Sequence, residues 1–370
     1  MAIWDKIKKQ NSEPEVILES WSPVCDIQAF VEKSDTCYYL YLWGNQTSEQ
    51  RFMKSCWICN RIKAPKTLDA KAMKNGQAPM MPEEFVAHDL KGMELEADKL
   101  EIVWFAEGDA ASLLSDGQLI CVIPGWADAE NGFYGYSKYA KGMGNYAWEL
   151  TNAESVLMKR TVDSKAIWAG LNGEYWPQVQ AAHMEVLENF FGKHEKYFAI
   201  DGGKFPARAL VTGTYNGVVY GITVGMSLIP MPRIEQYVMD SELTKLHRIE
   251  LGFAATEQYR TLCELFYSTM SSLAAYPWQE ITFFSHGHTV PFEAIDGFGA
   301  ILFINPRLIS ALEQPEYKDY LADMSLLWLI PLTMQEYDYI MSEGSRALLE
   351  LAEDLENIHI FDGNPKFINE

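Results

Sequence analysis

The chain has 370 residues, and 51 acidic against 30 basic side chains give it a formal net charge of −21. A field of this sign repels phosphate backbones and anionic lipids, which argues against direct binding to nucleic acids or membranes. Hydrophobic residues make up 48% of the chain and aromatic residues 13%, which excludes a disordered or low-complexity protein. The length is typical of two domains. The acidic excess would attract a basic protein, although solubility alone is the simpler explanation.

The cysteines and the N-terminal segment bear on the cellular compartment. Six cysteines stand mostly in apolar runs, which is typical of buried, reduced thiols rather than of a disulfide framework: Cys25, Cys37, Cys56, Cys59, Cys121 and Cys263. The N-terminal segment lacks the apolar core of a signal peptide, and no apolar run approaches the roughly 20 residues that span a bilayer. We therefore expect a soluble, cytoplasmic protein.

Residues 1–150 carry 15 basic and 22 acidic side chains, a net charge of −7, and are predicted to form a smaller, β-rich α+β domain. Aromatic and β-branched runs predict strands at 15–20, 36–43, 51–60, 100–106 and 118–123. We also expect a short helix at 68–74 and a helical turn at 109–114. Residues 124–146 are dense in Gly and Tyr and indicate an ordered surface loop. No motif assigns an activity to this domain.

Residues 151–370 carry 15 basic and 29 acidic side chains, a net charge of −14, and are predicted to form the second domain. Apolar stripes at helical spacing predict helices at 175–191 and 256–274. Strands are expected at 197–200, 207–214, 218–226, 248–254, 281–284 and 300–304. Asn216-Gly217 signals a hairpin. Strands and helices do not alternate strictly, which favours an α+β domain, a mixed β-sheet with covering helices, over a doubly wound fold.

The stretch 324–355 is the predicted centre of this second domain. Its unbroken apolar run at 324–332 predicts a strand that is covered on both faces, with Pro331 near its end because proline has no amide to donate. Thr333 and Glu336 then have the spacing of a capping box, in which each side chain binds the backbone amide of the other residue. A helix is therefore expected to begin directly after the strand.

The predicted helix after Thr333 leads into a second one. Its packed face is expected to consist of Tyr337, Ile340 and Met341, and Gly344 is expected to end it as a left-handed cap. Ser345 opens the second predicted helix, whose inward side chains are Leu348, Leu349 and Leu355.

Two short motifs suggest chemistry, but a structural interpretation fits each of them better. Cys56-x-x-Cys59 has the spacing of half a zinc site or of a redox pair. It lacks a second cysteine pair, and it stands in a predicted strand instead of opening a helix. Asp201-Gly-Gly-Lys204 lacks the spacing of a phosphate loop and predicts a turn. No serine stands in a G-x-S-x-G elbow, so no catalytic residue is predicted.

His286 and His288 are the most site-like pair, because two imidazoles two residues apart on an extended segment face the same way. Together they could share a metal ion, and a metal-dependent hydrolase is therefore the alternative function. A zinc site needs three or four protein ligands, and only Glu293 and Asp296 provide carboxylates within ten residues. We therefore expect a turn that contacts a partner, with no bound metal and no cofactor.

Residues from about 176 to 356 resemble the suppressor of fused domain in its bacterial form. The resemblance lies in Gly-His-Thr-Val-Pro-Phe at 287–292, in the preceding predicted helix, and in the run LLWLIPLTMQEYDYIMSEGSRALLELAE at 326–353. The strand around 248–251 fits the same pattern. Animal members of this family carry an additional domain after this one, whereas here 150 residues precede it. The animal members' two-domain clamp on a peptide is therefore not carried over.

The resemblance implies a mixed α/β domain without catalytic activity that works by protein–protein contact. Bacterial domains of this kind resemble immunity proteins of polymorphic toxin systems, so an immunity-type protein that neutralises a partner protein or toxin is expected. The acidic surface favours a basic partner. We predict partner contacts at His286 and His288 and at four carboxylates, here called the acidic cluster: Glu350, Glu353, Asp354 and Glu356. Neither the identity of the partner nor the oligomeric state follows from the sequence.

Overall fold

The computed structural model describes residues 13–368 apart from 48, 69, 75, 238–245 and 318–323. The chain divides into two compact units, Met1–Gly170 and Leu171–Glu370. The sequence predicted a division near residue 150, which lies before a helix that packs on the sheet of the first unit.

The first unit contains two sheets. The strands of one are β1 (Glu15–Trp21), β2 (Ile27–Lys33), β3 (Cys37–Gly44) and β4 (Phe52–Asn60). They pair in chain order and every pair is antiparallel. The strands of the other are β5 (Leu100–Trp104), β6 (Ala111–Ser115), β7 (Gln118–Ile123), β8 (Tyr136–Ser137) and β9 (Trp148–Glu149), also in chain order. Among the described residues of the first unit, the helices are α1 (Ala70–Lys74) and α2 (Glu154–Gly170), and 3₁₀ turns lie at Glu83–Phe85 and Ala97–Lys99.

The helix α2 was not predicted from the sequence. Its buried side chains are Leu157, Thr161 and Ser164, so two of the three are hydroxyls and the apolar stripe is weak. Polar contacts hold the helix to the second sheet. Trp168 Nε1 donates to the carbonyl oxygen of Trp104 at 2.9 Å, and Ser164 Oγ accepts from a backbone amide next to β5 at 3.1 Å.

One prediction in the first unit was wrong, and one strand was not predicted. Residues 109–114 were expected to be helical, but β6 is a strand that pairs with β7 through a two-residue turn at Asp116-Gly117. Both turn residues have positive φ, 49° and 74°, which suits a hairpin turn. The strand β2 was missed, although Ile27, Ala29 and Val31 are buried in strict alternation.

The second unit is an eight-stranded sheet with helices. Its strands are β10 (Lys196–Ala199), β11 (Ala209–Tyr215), β12 (Val218–Val224), β13 (Arg248–Thr256), β14 (Thr289–Pro291), β15 (Ala300–Ile304), β16 (Met324–Leu332) and β17 (Ile360–Phe361). Among the described residues, its helices are α3 (Trp176–Phe191), α4 (Arg260–Leu273), α5 (Tyr276–Gln279), α6 (Met334–Glu343) and α7 (Ser345–Leu349). 3₁₀ turns lie at Met226–Leu228, Ile234–Gln236, Glu257–Tyr259 and Pro306–Leu308.

The strand order in this sheet is β10-β11-β12-β13-β16-β15-β14, and β17 pairs with β13 beyond the end of β16. β13 is parallel to both β16 and β17, whereas the other pairs are antiparallel. The sheet is therefore mixed, and the predicted α+β class is confirmed.

The strand β16 lies inside the sheet, and every one of its nine residues is buried. On one face Trp328 shares a core cluster with Leu187 of α3 and Leu348 of α7. On the other face Phe253 of β13 stacks on Phe266 of α4, with ring centroids 3.6 Å apart. Both faces of the sheet are covered, which explains why the strand is apolar throughout.

The capping box after β16 is confirmed. Thr333 Oγ1 accepts from the Glu336 amide at 3.2 Å, and Glu336 Oε2 accepts from the Thr333 amide at 2.8 Å. Gly344 ends α6 at φ 89° and ψ 157°. This conformation lies outside the left-handed helical region, so the predicted left-handed cap was wrong, although it is one that only glycine adopts readily. Met341 was wrongly placed on the packed face, since 68% of it is exposed.

Two further predictions in the second unit need correction. Residues 281–284 do not form a strand, because Ile281 has a φ of 51°, which interrupts extended backbone. The second predicted helix, α7, ends at Leu349, so Leu355 lies beyond it, although Leu355 still packs against the core.

Candidate functional site

A cavity of about 470 Å³ opens where the edge of β13 passes from one partner strand to the next. β16 pairs with β13 as far as Trp328, and β17 takes over at Ala254. We call this space the main cavity. It is lined by Phe190, Phe191, Tyr215, Asn216, Val218, Tyr220, Ala254, Ala311, Glu313, Trp328, Glu356, Asn357, His359 and Ile360.

Four ring side chains form the inner wall of the main cavity. Phe191 stacks on Tyr220 with centroids 4.6 Å apart, and it meets Trp328 edge-on at 6.4 Å. Trp328 in turn packs against His359 at 4.7 Å. Phe191, Tyr220 and Trp328 are almost completely buried, so this wall is a packed part of the core.

A glycine in β13 gives the Trp328 indole its position. Gly252 pairs directly with Trp328 across the sheet, and a Cβ atom at Gly252 would lie 2.8 Å from Trp328 Cε3. The indole therefore lies across the backbone of β13, where any larger residue would displace it. On the opposite side, Asn216 and Gly217 have φ of 50° and 80° and form the tight turn that brings Tyr215 to the cavity.

Two nitrogen atoms of the inner wall are buried without a hydrogen-bond partner among the described residues. They are Trp328 Nε1 and His359 Nδ1. An unsatisfied buried donor costs about 1–3 kcal/mol, so native proteins retain few of them. Burial, and secondarily the charge of Lys366, lower the pKa of His359 to about 4, which keeps its imidazole neutral at physiological pH.

The mouth of the main cavity is acidic. Glu313 and Glu356 line it and are exposed. A second space of about 240 Å³, the side cavity, shares Phe190 with it and is lined by Glu185, Val186, Asn189, Phe190 and Glu316. The described residues that line the two cavities include four glutamates and neither lysine nor arginine. The local charge is therefore negative.

The structure brings one predicted contact residue, Glu356, to the main cavity. The rest of the acidic cluster is exposed and follows α7 in turns, so these carboxylates do not form the outer face of a helix: Glu350, Glu353 and Asp354. Asp354 accepts hydrogen bonds from the side chain and the amide of Asn357 at 3.0 and 3.1 Å, and these bonds lower its pKa.

His286 and His288 lie at a turn, as the sequence predicted, and not on the extended segment that a shared metal ion would have required. The His288 amide donates to the Ser285 carbonyl at 3.1 Å, and Gly287 has a φ of 83°. His286 Nδ1 accepts from the Asn305 amide at 3.1 Å, whereas the His288 ring packs against Phe283 at 5.2 Å. The two rings thus engage different partners. Partial burial lowers the pKa of both imidazoles.

The cysteine pair in β4 is part of the core. Cys56 and Cys59 are fully buried free thiols, and burial raises the pKa of each well above its usual value, which disfavours the reactive thiolate. The part of the chain that the structure describes contains no group of three or more His, Cys, Asp or Glu side chains placed to hold a metal ion.

The fold assembles a buried serine, histidine and glutamate that sequence reasoning missed, because they come from three distant elements. Ser227 Oγ lies 3.1 Å from His183 Nε2 but donates to Glu250 Oε1 at 2.7 Å. His183 Nδ1 bonds the Val179 carbonyl at 3.0 Å. In a catalytic triad the carboxylate orients the histidine instead. Glu250 of β13 also accepts from Thr223 Oγ1 of β12 at 2.7 Å, so the cluster ties β12 to β13.

The cavity-lining residues also escaped prediction. Trp328 was expected in a buried strand, but Tyr220, Glu313 and His359 come together only because β11 to β13, β16 and β17 share one sheet. The Asn216-Gly217 turn was the one sequence signal for part of this wall.

No helix in the described part of the chain combines the length and the apolar character that crossing a bilayer requires.

Part of the chain that forms this site matches the sequence model of a known family. The sequence model of the family described as suppressor of fused protein (SUFU) matches residues 206–364. No curated protein matches the chain. A chain of the Sufu-Fu complex crystal structure aligns with 51% of this chain and 90% of its own length. Its identity is 11% and its TM-score 0.35, which is too low to support an argument. The stretch that matches the suppressor of fused model, residues 206–364, supplies all of the main cavity except Phe190 and Phe191.

Proposed function

We propose that this chain is a non-enzymatic interaction protein of the bacterial cytoplasm that binds and neutralises a basic partner protein, in the manner of an immunity protein. The observation that carries the proposal is the suppressor of fused domain at 206–364, since the family is one of protein-interaction domains. The proposal does not involve a cofactor or a metal ion.

Charge supports a basic partner. Residues 151–370 carry a net charge of −14, and both cavities in this unit are rimmed by glutamates. Long-range attraction of this kind raises the rate of association with an oppositely charged surface. We propose that the acidic cluster, Glu350, Glu353, Asp354 and Glu356, supplies this attraction. His286 and His288 remain proposed contacts on a separate turn.

The test begins with the full chain carrying an affinity tag in its source cells. Proteins captured with it are identified by mass spectrometry, purified separately, and titrated against the chain by calorimetry. We expect one basic protein to form a stoichiometric complex, and we expect co-expression of the chain to relieve that protein's toxicity or block its activity. Failure of every captured protein to bind when purified, or saturable turnover of a small substrate by the chain, would overturn the proposal.

A further inference from the structure

We propose that the main cavity receives one apolar side chain of the partner protein, and that a neighbouring lysine or arginine of the partner pairs with Glu313 and Glu356. This inference rests on the proposed function and specifies the chemistry that the domain recognises.

The shape of the main cavity suits an inserted side chain. Its volume of about 470 Å³ falls within the range of roughly 300–1,000 Å³ that is typical of binding pockets. Tyr215, Val218 and Ile360 line it with partly exposed apolar surface, whereas Tyr220 and Trp328, which are 2% and 1% exposed, are fixed in the packed core. An occupant therefore meets a preformed surface, which lowers the cost of ordering side chains on binding. Buried aromatic pockets of this kind are where the strongest contacts of protein interfaces concentrate.

Two nitrogens of the inner wall, Trp328 Nε1 and His359 Nδ1, are closed to water and have no hydrogen-bond partner among the described residues. Because an occupant of the cavity cannot reach them, they do not select it. The polar chemistry of the occupant is set by the exposed side chains at the mouth.

Charge decides what stands next to the apolar side chain. Glu313 and Glu356 lie at the mouth, and Glu185 and Glu316 line the side cavity beyond Phe190. The acidic surface thus extends past the space for one side chain, which favours a segment of several residues over a lone small molecule. A cation in that segment would be attracted, and a carboxylate would be repelled.

The experiment uses a library of random twelve-residue peptides displayed on phage and selected against the full chain. We expect the selected peptides to share an aromatic or large aliphatic residue adjacent to Lys or Arg. Ala311→Trp places a bulky ring at an exposed position on the cavity wall. We expect the affinity of the synthesised peptides for this variant to be at least tenfold lower than for the parent chain. Ala181→Trp, at an exposed position of α3 that lines neither cavity, should leave their affinity unchanged.

Charge and location are tested separately. The double variant Glu313→Gln and Glu356→Gln should bind the peptides with several-fold lower affinity. The control is the double variant Glu264→Gln and Glu343→Gln, whose two positions are exposed and outside the cavities, and its affinity should be unchanged. The Trp328 indole signal in a proton–nitrogen NMR spectrum, assigned among 11 tryptophans by its loss in Trp328→Phe, should shift when a peptide is added.

The proposal is overturned if selection enriches no common motif, if it enriches acidic peptides, or if Ala311→Trp leaves the affinity unchanged. It is also overturned if phenethylguanidine, a small aromatic cation, shifts the Trp328 signal and no peptide does. A captured partner whose binding survives Ala311→Trp would refute this inference and leave the proposed function standing. If the chain binds peptides in the cavity but binds no purified protein, the proposed function is refuted and this inference stands.

Discussion

Glu336 Oε1 accepts a hydrogen bond from the amide of Phe367 at 2.9 Å, although the two residues are 31 positions apart. The other oxygen of the same carboxylate completes the capping box by accepting from the Thr333 amide at 2.8 Å. Glu336 is completely buried, and Ile368 donates to it as well, at 3.3 Å. One side chain thus begins α6 and also holds the C-terminal segment against it.

Thr333→Ala and Glu336→Ala should therefore differ in cost. Loss of the threonine cap is expected to lower the free energy of unfolding by about 0.5–2 kcal/mol. Loss of Glu336 leaves several buried amides without an acceptor and should cost about 2–4 kcal/mol. Urea denaturation measures both values, with Thr333→Ser as a control that retains the cap. Equal losses for the two alanine variants would show that the bond to Phe367 contributes nothing.

Gly252→Ala should destabilise the second unit. The added Cβ would lie 2.8 Å from Trp328 Cε3 and 3.1 Å from Leu326 Cδ1, so the free energy of unfolding should fall by about 1–3 kcal/mol. Gly170→Ala is the matched control, because no atom lies within 4 Å of its Cβ and its φ is not positive. That variant should be neutral or slightly stabilising, since alanine favours the helix. Similar effects of the two substitutions on thermal unfolding would contradict the close packing.

The two units are predicted to fold independently, with the division at 170 and 171 rather than at 150. A fragment 1–170 keeps α2 on its sheet, whereas a fragment 1–150 loses the bond from Trp168 to Trp104 and the buried Leu157. We expect 1–170 to be soluble and to melt cooperatively, and 1–150 to aggregate or melt at a lower temperature. Calorimetry of both fragments provides the measurement. Insolubility of 1–170 and 171–370 alike would indicate a single fused core.

Stability should depend on the protonation of His359. Its pKa falls from an ordinary value of 6.5 to about 4 because the ring is buried. The unfolded chain binds this proton below pH 6.5, whereas the folded chain resists it until about pH 4. The neutral His359 therefore makes its full contribution to the free energy of unfolding above pH 6.5. This contribution is lost progressively as the pH falls towards 4.

His359→Gln removes this titration. The variant should lose less stability than the parent between pH 6.5 and 4, by an amount on the order of 2 kcal/mol. Urea denaturation at several pH values measures the difference between the two slopes. Parallel curves for the parent and the variant would mean that the imidazole is not desolvated in the folded protein.

Association with the captured partner should depend steeply on salt. The Debye length falls from about 10 Å at 0.1 M ionic strength to about 3 Å at 1 M, so the association rate should drop while the dissociation rate changes little. Replacing the acidic cluster by lysines should lower the association rate by at least tenfold. The control reverses four exposed carboxylates of the first unit: Glu84, Asp98, Glu130 and Glu154. An equal effect of the control would show that net charge matters and that the position of the cluster does not.

The sequence by itself determined the elements whose signals are local. The apolar run of β16, the capping box at Thr333 and Glu336, and the Asn216-Gly217 turn all depend on residues within a few positions of each other. Such patterns survive in the sequence because burial on both faces, amide capping and positive φ each restrict the residues allowed. The resemblance that identified the domain lies largely in this same local run.

Only the tertiary structure decided which side chains come together in the candidate site. The wall of the main cavity joins Tyr220, Trp328 and His359, which no spacing in the sequence relates. Their contacts follow from the order of strands in the sheet, and above all from the exchange of β16 for β17 along the edge of β13. His286 and His288 show the converse. They are two positions apart but engage different partners, because the positive φ of Gly287 turns the chain between them.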